Sequence, residues 1–186
     1  TKKKININKE EYNPTTPYAQ AKLKSFLLVK EYRKKFRLNL FNGLFLNTES
    51  ILRPRYYVLS KICYFVAKMK KTQSKKLMLG NINIKRDWGW CEEYVKIVWK
   101  YIQSKPSDFV IGTGKTYSLK KMIAFAFKMS GLKWKEHIKL ENSFLRKYEI
   151  NSISVSIKKT IQRTGIYPKI YGEKLIKKLI NFYKNA

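Results

Sequence analysis

Two hydrophobic patterns alternate along the chain, one with a helical period and one of short continuous runs. Over residues 18–35, Ala19, Leu23, Phe26, Leu27 and Val29 interleave with basic positions at a period near 3.6, which predicts a helix. The apolar run 38–46 follows at once, bounded by charge on one side and by Asn47-Thr48 on the other, and predicts a buried parallel strand. The same grammar predicts a helix over 56–71, a strand over 76–79, a helix over 91–103 and a strand over 109–112. Ser118 then caps a helix that runs to about residue 130, with Gly131 at its C-terminal stop. A weakly patterned stretch leads into helices over 156–164 and 172–184, the last with Leu175, Ile176, Leu179, Ile180 and Phe182 opposed to Lys174, Lys177, Lys178 and Lys184. Residues 1–17 read as an extended polar lead-in, because Pro14 and Pro17 force their predecessors out of helical conformation. Strands alternating with helices predict an α/β chain. Its parallel sheet looks short of strands, since a doubly wound domain would normally begin before Thr1.

Length narrows the organisation: 186 residues exclude two large domains and suit one ordinary domain or part of a larger one. With 44% apolar and 15% aromatic residues the chain can bury a core, and no apolar stretch approaches the roughly 20 residues that span a bilayer. A soluble, globular, cytoplasmic protein is expected, with no signal-peptide h-region near Thr1. Cys63, Cys91 and the single His137 build neither a zinc site nor a disulfide scaffold, so no metal is expected and a reducing compartment fits. An approximate division at residue 115, into 1–115 and 116–186, is expected within one compact unit.

Charge then changes the picture. Forty-one basic against 12 acidic side chains give a net +29, which suggests a polyanion partner. Only seven of the basic residues are arginine, however, and the lysine excess accompanies many Ile, Asn, Tyr and Phe, all encoded by A/T-rich codons. Biased composition explains that set better than nucleic-acid binding, which recruits arginine forks. A non-enzymatic basic module that holds an acidic polymer or a membrane surface stays open as an alternative.

Among candidate chemistries, Tyr18 and Lys22 share one helix face at i and i+4, and a cation beside a phenol favours the phenolate that acid–base work needs. Chance alone supplies about 2.4 such pairs in a chain of this composition, and five occur: Tyr18/Lys22, Tyr57/Lys61, Tyr64/Lys68, Tyr101/Lys105 and Tyr117/Lys121. The first is set apart by its context, Asn13-Pro14-Thr15-Thr16-Pro17-Tyr18-Ala19-Gln20-Ala21-Lys22, in which Pro17 starts the helix and small alanines leave its face open. Three other features mislead. Gly112-Thr113-Gly114-Lys115-Thr116 ends like a phosphate-binding loop but carries Phe109 where that loop needs glycine. Glu92-Glu93 reads as a solvated helix start, because adjacent helical positions diverge. His137 lacks a partner triad and reads as structural or exposed.

The Asn-Pro-x-x-Pro-Tyr-x-x-x-Lys segment resembles the extended short-chain dehydrogenase/reductases, and the residues beyond it narrow the likeness to the GDP-mannose 4,6-dehydratases. Asn42-Gly43-Leu44-Phe45-Leu46-Asn47-Thr48-Glu49-Ser50 resembles that family's strand and Asn-His-Glu-Ser loop, with Arg53 after it and Val58, Lys61 and Ile62 in the next helix. Leu79-Gly80-Asn81, Arg86-Asp87-Trp88-Gly89, Glu93-Tyr94-Val95, Asp108-Phe109-Val110-Ile111, Thr113-Gly114, Leu145-Arg146, Glu149 and Gly165-Ile166-Tyr167-Pro168 continue the likeness in order over residues 10–185. It implies a partial Rossmann-like parallel sheet, without its N-terminal strands and glycine-rich turn, plus a small mixed α/β substrate-binding region. Tyr18 and Lys22 are implied to be catalytic and, with Thr48 and Arg53, to bind NADP. Asn47, Lys61, Arg86, Arg146 and Glu149 are implied to grip GDP-mannose or a related nucleotide sugar.

Thr48 stands where the family has histidine, Ile51-Leu52 where it has Pro-Arg, and Lys147 where it has proline, which weakens the cofactor side most. The family's Gly-x-x-Gly-x-x-Gly turn and its catalytic Thr/Ser and Glu have no counterpart here. The resemblance therefore implies the C-terminal part of a dehydratase converting GDP-mannose to GDP-4-keto-6-deoxymannose, inactive alone. A partner chain carrying the other half and homo-oligomers are its implied partners, and another nucleotide-sugar epimerase or dehydratase is the alternative within the class.

Overall fold

A computed structural model of the chain describes residues 2–5 by their backbone and 13–69, 75–145 and 149–186 in full. Strand β1 (Lys2–Ile5) forms within the lead-in, and helix α1 (Pro17–Lys35) starts where Pro17 predicts. Strands β2 (Asn42–Phe45) and β3 (Asn47–Glu49) follow, then α2 (Val58–Lys68), β4 (Leu77–Leu79), β5 (Lys85–Arg86), β6 (Trp88–Trp90) and α3 (Cys91–Ile102). The chain continues through β7 (Asp108–Ile111), β8 (Tyr117–Ser118), α4 (Leu119–Lys128), α5 (Trp134–His137), β9 (Ile138–Leu140) and a 3-10 turn at Asn142–Phe144. It ends with β10 (Ser152–Val155), α6 (Lys158–Thr164) and α7 (Gly172–Asn185). The α/β class is as expected, with parallel ladders β2–β7, β3–β6 and β4–β9 and a four-stranded sheet in the order β1-β10-β5-β8, closed by the antiparallel β5–β8 pair.

Helices form where the 3.6-residue period is clean. Leu59, Ile62, Cys63 and Val66 of α2, Met122, Ile123, Ala126 and Phe127 of α4, and Leu175, Ile176, Leu179 and Ile180 of α7 all turn one face into the main core, with Trp88 and Trp90. Each fully buried Leu or Ile side chain stabilises the fold by roughly 1.5–3 kcal/mol. A second cluster joins Tyr94, Ile97 and Tyr101 of α3 to Phe109 and Ile111 of β7, with the Tyr101 and Phe109 rings stacked at 3.8 Å. Ser118 caps α4 by accepting from Lys121 N at 3.2 Å, and Gly165 ends α6 in the left-handed conformation, φ 69°. Glu93 is not the solvated residue expected: its carboxylate accepts from the backbone N–H groups of Lys169 and Ile170 and fastens α3 to the chain before α7. His137 is buried, its ring parallel to that of Phe127, and is structural.

Two expectations need correction. The apolar run 38–46 is not a buried strand: only Asn42–Phe45 pair with β7, and Leu38 and Phe45 are exposed. Among the described strands β2 has a neighbour on one edge alone, so its other edge and outer face lack cover. The weakly patterned stretch after Gly131 holds α5, β9, the 3-10 turn and β10, elements too short to display a period. No helix among the described residues is long and apolar enough to cross a membrane.

Strand 42–49 changes neighbour part-way. Leu46 N still donates to Ile111 O at 2.9 Å, in continuation of the β2–β7 ladder, whereas Asn47 N donates to Asp87 O at 3.1 Å and β3 proceeds alongside β6. A crevice opens where a strand leaves one partner for another, and in α/β sheets ligands bind at such points, beyond the carboxyl ends of the strands. Gly89, opposite Thr48 in the β3–β6 register, lies directly under the Tyr94 phenol, and a Cβ added there would also come within 2.7 Å of Thr113 Cγ2. Gly89→Ala should therefore cost about 1–3 kcal/mol of stability by overpacking, read as a lower urea midpoint with an unchanged slope; an unaltered midpoint would contradict this packing.

Candidate active site

Thr16 and Pro17 begin α1: the Thr16 hydroxyl accepts from Ala19 N at 3.1 Å, and Pro17 occupies the first turn, where a missing N–H costs nothing. The later part of the helix is tied to the start of β2 and β7. Arg33 donates to Asp108 Oδ1 at 2.8 Å and to Leu40 O at 3.1 Å, while Asn42 Nδ2 donates to Asp108 Oδ1 at 3.0 Å and to Phe26 O at 3.1 Å. Phe26 thus lies level with Asn42 at the start of β2. Tyr18 stands eight residues before Phe26, about 12 Å further back along the helix. Tyr18 is 73% exposed, and the Lys22 ammonium sits 5.8 Å from the centre of its ring. No residue of α1 is buried.

Past the change of partner, Thr48 Oγ1 donates to Leu46 O at 3.2 Å, and Arg53 folds back on the same strand end. Its guanidinium donates to Thr48 O at 2.6 Å, lies 3.4 Å from Glu49 Oε2 through Nε, and stacks 3.7 Å from the centre of the Tyr57 ring. Asn47 pairs with Trp88, two residues after Arg86. Arg86 donates to Lys85 O at 2.8 Å, and Lys85 N donates to Asn151 O at 2.7 Å, which brings the segment just after Glu149 against β5. Lys61 donates to Met78 O at 2.9 Å, its ammonium 5.1 Å from the centre of the Phe144 ring. Arg146 lies outside the described residues. The structure thus joins Thr48 to Arg53, Asn47 to Arg86 through Asp87, and Arg86 to the Glu149 segment through Lys85; Lys61 stands apart with Phe144.

Two acids that the motif reading passed over organise this surface. Asp87 is buried and accepts from Thr113 N at 3.0 Å, Thr113 Oγ1 at 2.7 Å and Gly114 N at 2.8 Å. Burial pushes its carboxyl above the usual carboxylate range, against the pull of those hydrogen bonds. The turn that imitates a phosphate loop is therefore occupied from within, by a carboxylate where a phosphate would sit. Glu49 is 1% exposed, and burial raises its pKa to about 7, opposed by the Arg53 charge and by a 3.5 Å hydrogen bond from Ser60. The Cys63 thiol is also pushed up, first by burial and then by Glu49. The available signal was their place inside the segments Asn47-Thr48-Glu49-Ser50 and Arg86-Asp87-Trp88-Gly89. Among the described residues no three of His, Cys, Asp and Glu group closely enough to hold a metal ion.

Glu49 makes stability depend on pH in a defined direction. Because the folded state holds this proton up to about pH 7 and the unfolded chain releases it near the ordinary value of 4.5, stability falls as pH rises between the two. The loss is on the order of 3 kcal/mol across that window. Glu49→Gln should flatten the decline in denaturation midpoint between pH 4.5 and 7, and an equally steep decline in the variant would show that another group causes it.

Comparison with known proteins identifies the family and the fold. The sequence model of the family described as GDP-mannose 4,6 dehydratase matches residues 2–179. GDP-mannose 4,6 dehydratase 1 of Arabidopsis thaliana is 32% identical over 171 residues, 91% of this chain and 47% of its own. GDP-mannose 4,6 dehydratase of Dictyostelium discoideum is 37% identical over 139 residues, 73% of this chain and 39% of its own. Of solved structures, RMD from Pseudomonas aeruginosa complexed with NADPH superposes with a TM-score of 0.84 at 15% identity, covering 96% of this chain and 59% of that one. The dTDP-glucose 4,6-dehydratase of Bacillus anthracis in complex with NAD does so with a TM-score of 0.82 at 14% identity, covering 95% and 54%. At such identities the structures share the Rossmann-like fold alone. The chain spans about half the length of the curated relatives it matches. A family match over nearly every residue, on a fold whose strand switch carries the family's motif residues, establishes that this chain belongs to the GDP-mannose 4,6 dehydratase family.

Proposed function

We propose that the chain supplies the nucleotide-sugar side, together with the tyrosine–lysine pair, of an enzyme that converts GDP-mannose to GDP-4-keto-6-deoxymannose in the cytoplasm. The observation that supports this reading is the family match over residues 2–179, which includes the strand switch from which Asn47, Thr48 and Arg53 emerge. Residues 1–115 then belong to the dinucleotide-binding portion and 116–186 to the nucleotide-sugar portion. Lys61, Arg86 and Arg146 would hold the diphosphate, because ammonium and guanidinium groups match its charge and geometry. Glu149 offers an acceptor to the donor edge of guanine, and Asn47 a neutral partner to the sugar.

Tyr18 Oη would accept the proton of the sugar's 4-hydroxyl, and Lys22, one turn along, places a positive charge beside it. NADP, when bound, supplies the hydride acceptor; Tyr18, Lys22, Thr48 and Arg53 suit its nicotinamide end. Its pyrophosphate needs free backbone N–H groups at a glycine-rich turn, and those of the turn after β7 are bonded to Asp87. The cradle therefore belongs to a complementary segment or chain. The open edge of β2 and the exposed Leu27, Leu28, Tyr32, Phe36 and Phe45 support a docking face for it. Loss of water across C5 and C6 needs an acid–base carboxylate, which we assign to that partner, because Glu49, Asp87, Glu93 and Asp108 are bound within this chain.

Combined with a complementary half from a relative, the Tyr18→Phe chain should lose turnover of GDP-mannose by orders of magnitude while GDP-mannose binding changes less than threefold, measured by coupled assay and calorimetry. Undiminished turnover would refute the role of Tyr18.

A further inference from the structure

An aromatic ring stands beside Lys61 with no part in the core. Phe144 ends the 3-10 turn Asn142–Phe144 with 54% of its surface exposed. One exposed ring is ordinary; the way this one is held is informative. Glu141 N donates to Leu79 O at 2.8 Å, Phe144 N to Glu141 O at 3.2 Å and Leu145 N to Asn142 O at 2.9 Å, so the turn is fastened to the end of β4. Gly80 brings the two backbones closer still, since a Cβ at that position would meet Phe144 O at 2.7 Å, an atom that cannot swing aside. From the other side α2 delivers Lys61, whose ammonium lies 5.1 Å from the ring centre while it donates to Met78 O. Ring and cation are thus presented together from a strand end and a helix.

We infer that Phe144 is the stacking platform for the base of the bound nucleoside diphosphate, with Lys61 over one face of the ring and the base on the other. The inference rests on the nucleotide-sugar reading above and extends it to a residue that the motif comparison leaves without a role. Stacking on an aromatic face accepts any base, because every base has a π-face, so recognition of guanine falls to an acceptor at its edge. Glu149 is the candidate for that acceptor: it follows Phe144 by five positions in the chain, and Asn151, two residues beyond it, is bonded to Lys85 beside Arg86.

The test titrates the full chain, as wild type, Phe144→Ala and Phe144→Trp, with GDP and with inorganic pyrophosphate, which lacks a base. Phe144→Ala should weaken GDP roughly 5- to 100-fold, the usual worth of a base–aromatic stack, and leave pyrophosphate unchanged, while Phe144→Trp keeps GDP affinity within about threefold. A wild type that prefers GDP to pyrophosphate, with a Phe144→Ala variant that keeps the preference, overturns the role of Phe144 alone. Equal weakening of both ligands in Phe144→Ala also overturns it, since the residue would then act only on the fold. A wild type that binds GDP no tighter than pyrophosphate overturns the nucleotide-sugar reading itself, and this inference with it.

Discussion

Asp87 is the constraint on which the carboxyl end of this sheet depends. It lies between β5 and β6, its side chain gathers the Thr113 and Gly114 N–H groups and the Thr113 hydroxyl, and its carbonyl receives Asn47 N. One residue therefore connects the strand that carries Asn47 and Thr48, the pair β5–β6 that carries Arg86, and the turn after β7. A carboxylate taken out of water is costly, and hydrogen bonds that fill its lone pairs offset that cost. The same bonds leave the backbone turn no capacity for a phosphate. Structure at this point and the absence of a pyrophosphate cradle there are one fact viewed from two sides.

Around that junction the strand change at Leu46–Asn47 decides where chemistry can occur. While β2 runs beside β7 its side chains face a helix and solvent, and after Leu46 the chain turns to β6 and exposes the start of a new ladder. Helix α1 is fixed to the beginning of these strands by Arg33, Asn42 and Asp108. Arg53 is fixed in turn by Thr48 and by the buried Glu49. Positions that look like independent surface cations in the sequence are coupled through a few buried acids.

The large positive charge has a structural component as well. Lys178 lies 4.8 Å over the Trp90 ring, Lys120 5.8 Å over Trp134, and Lys121 5.5 Å over Tyr117. Long aliphatic stems that cover aromatic faces while their ammonium groups stay in water contribute burial along with charge. These lysines belong to the packing of the helical layer, and their number does not by itself argue for a polyanion partner.

Helices α2, α3, α4 and α7, the start of α1 at Pro17, the cap at Ser118 and the stop at Gly131 were legible in the sequence. A helix several turns long repeats its buried face often enough to be read, and a cap depends on residues next to it in the chain. The strands β3, β5, β6, β8, β9 and β10, the partner exchange at Leu46–Asn47, the incomplete cover of 38–46, and the duties of Glu49, Asp87 and Glu93 were not legible, whereas the short β4 and β7 were. Each of these depends on what approaches from a distant part of the chain, and a two-residue strand has no period to reveal it. Local sequence determined which segments are helical and which side chains carry phenol, ammonium and guanidinium. Tertiary structure alone decided which of them stand at one crevice and which acids are consumed in building it, because burial and long-range hydrogen bonding exist only after the ladders have paired.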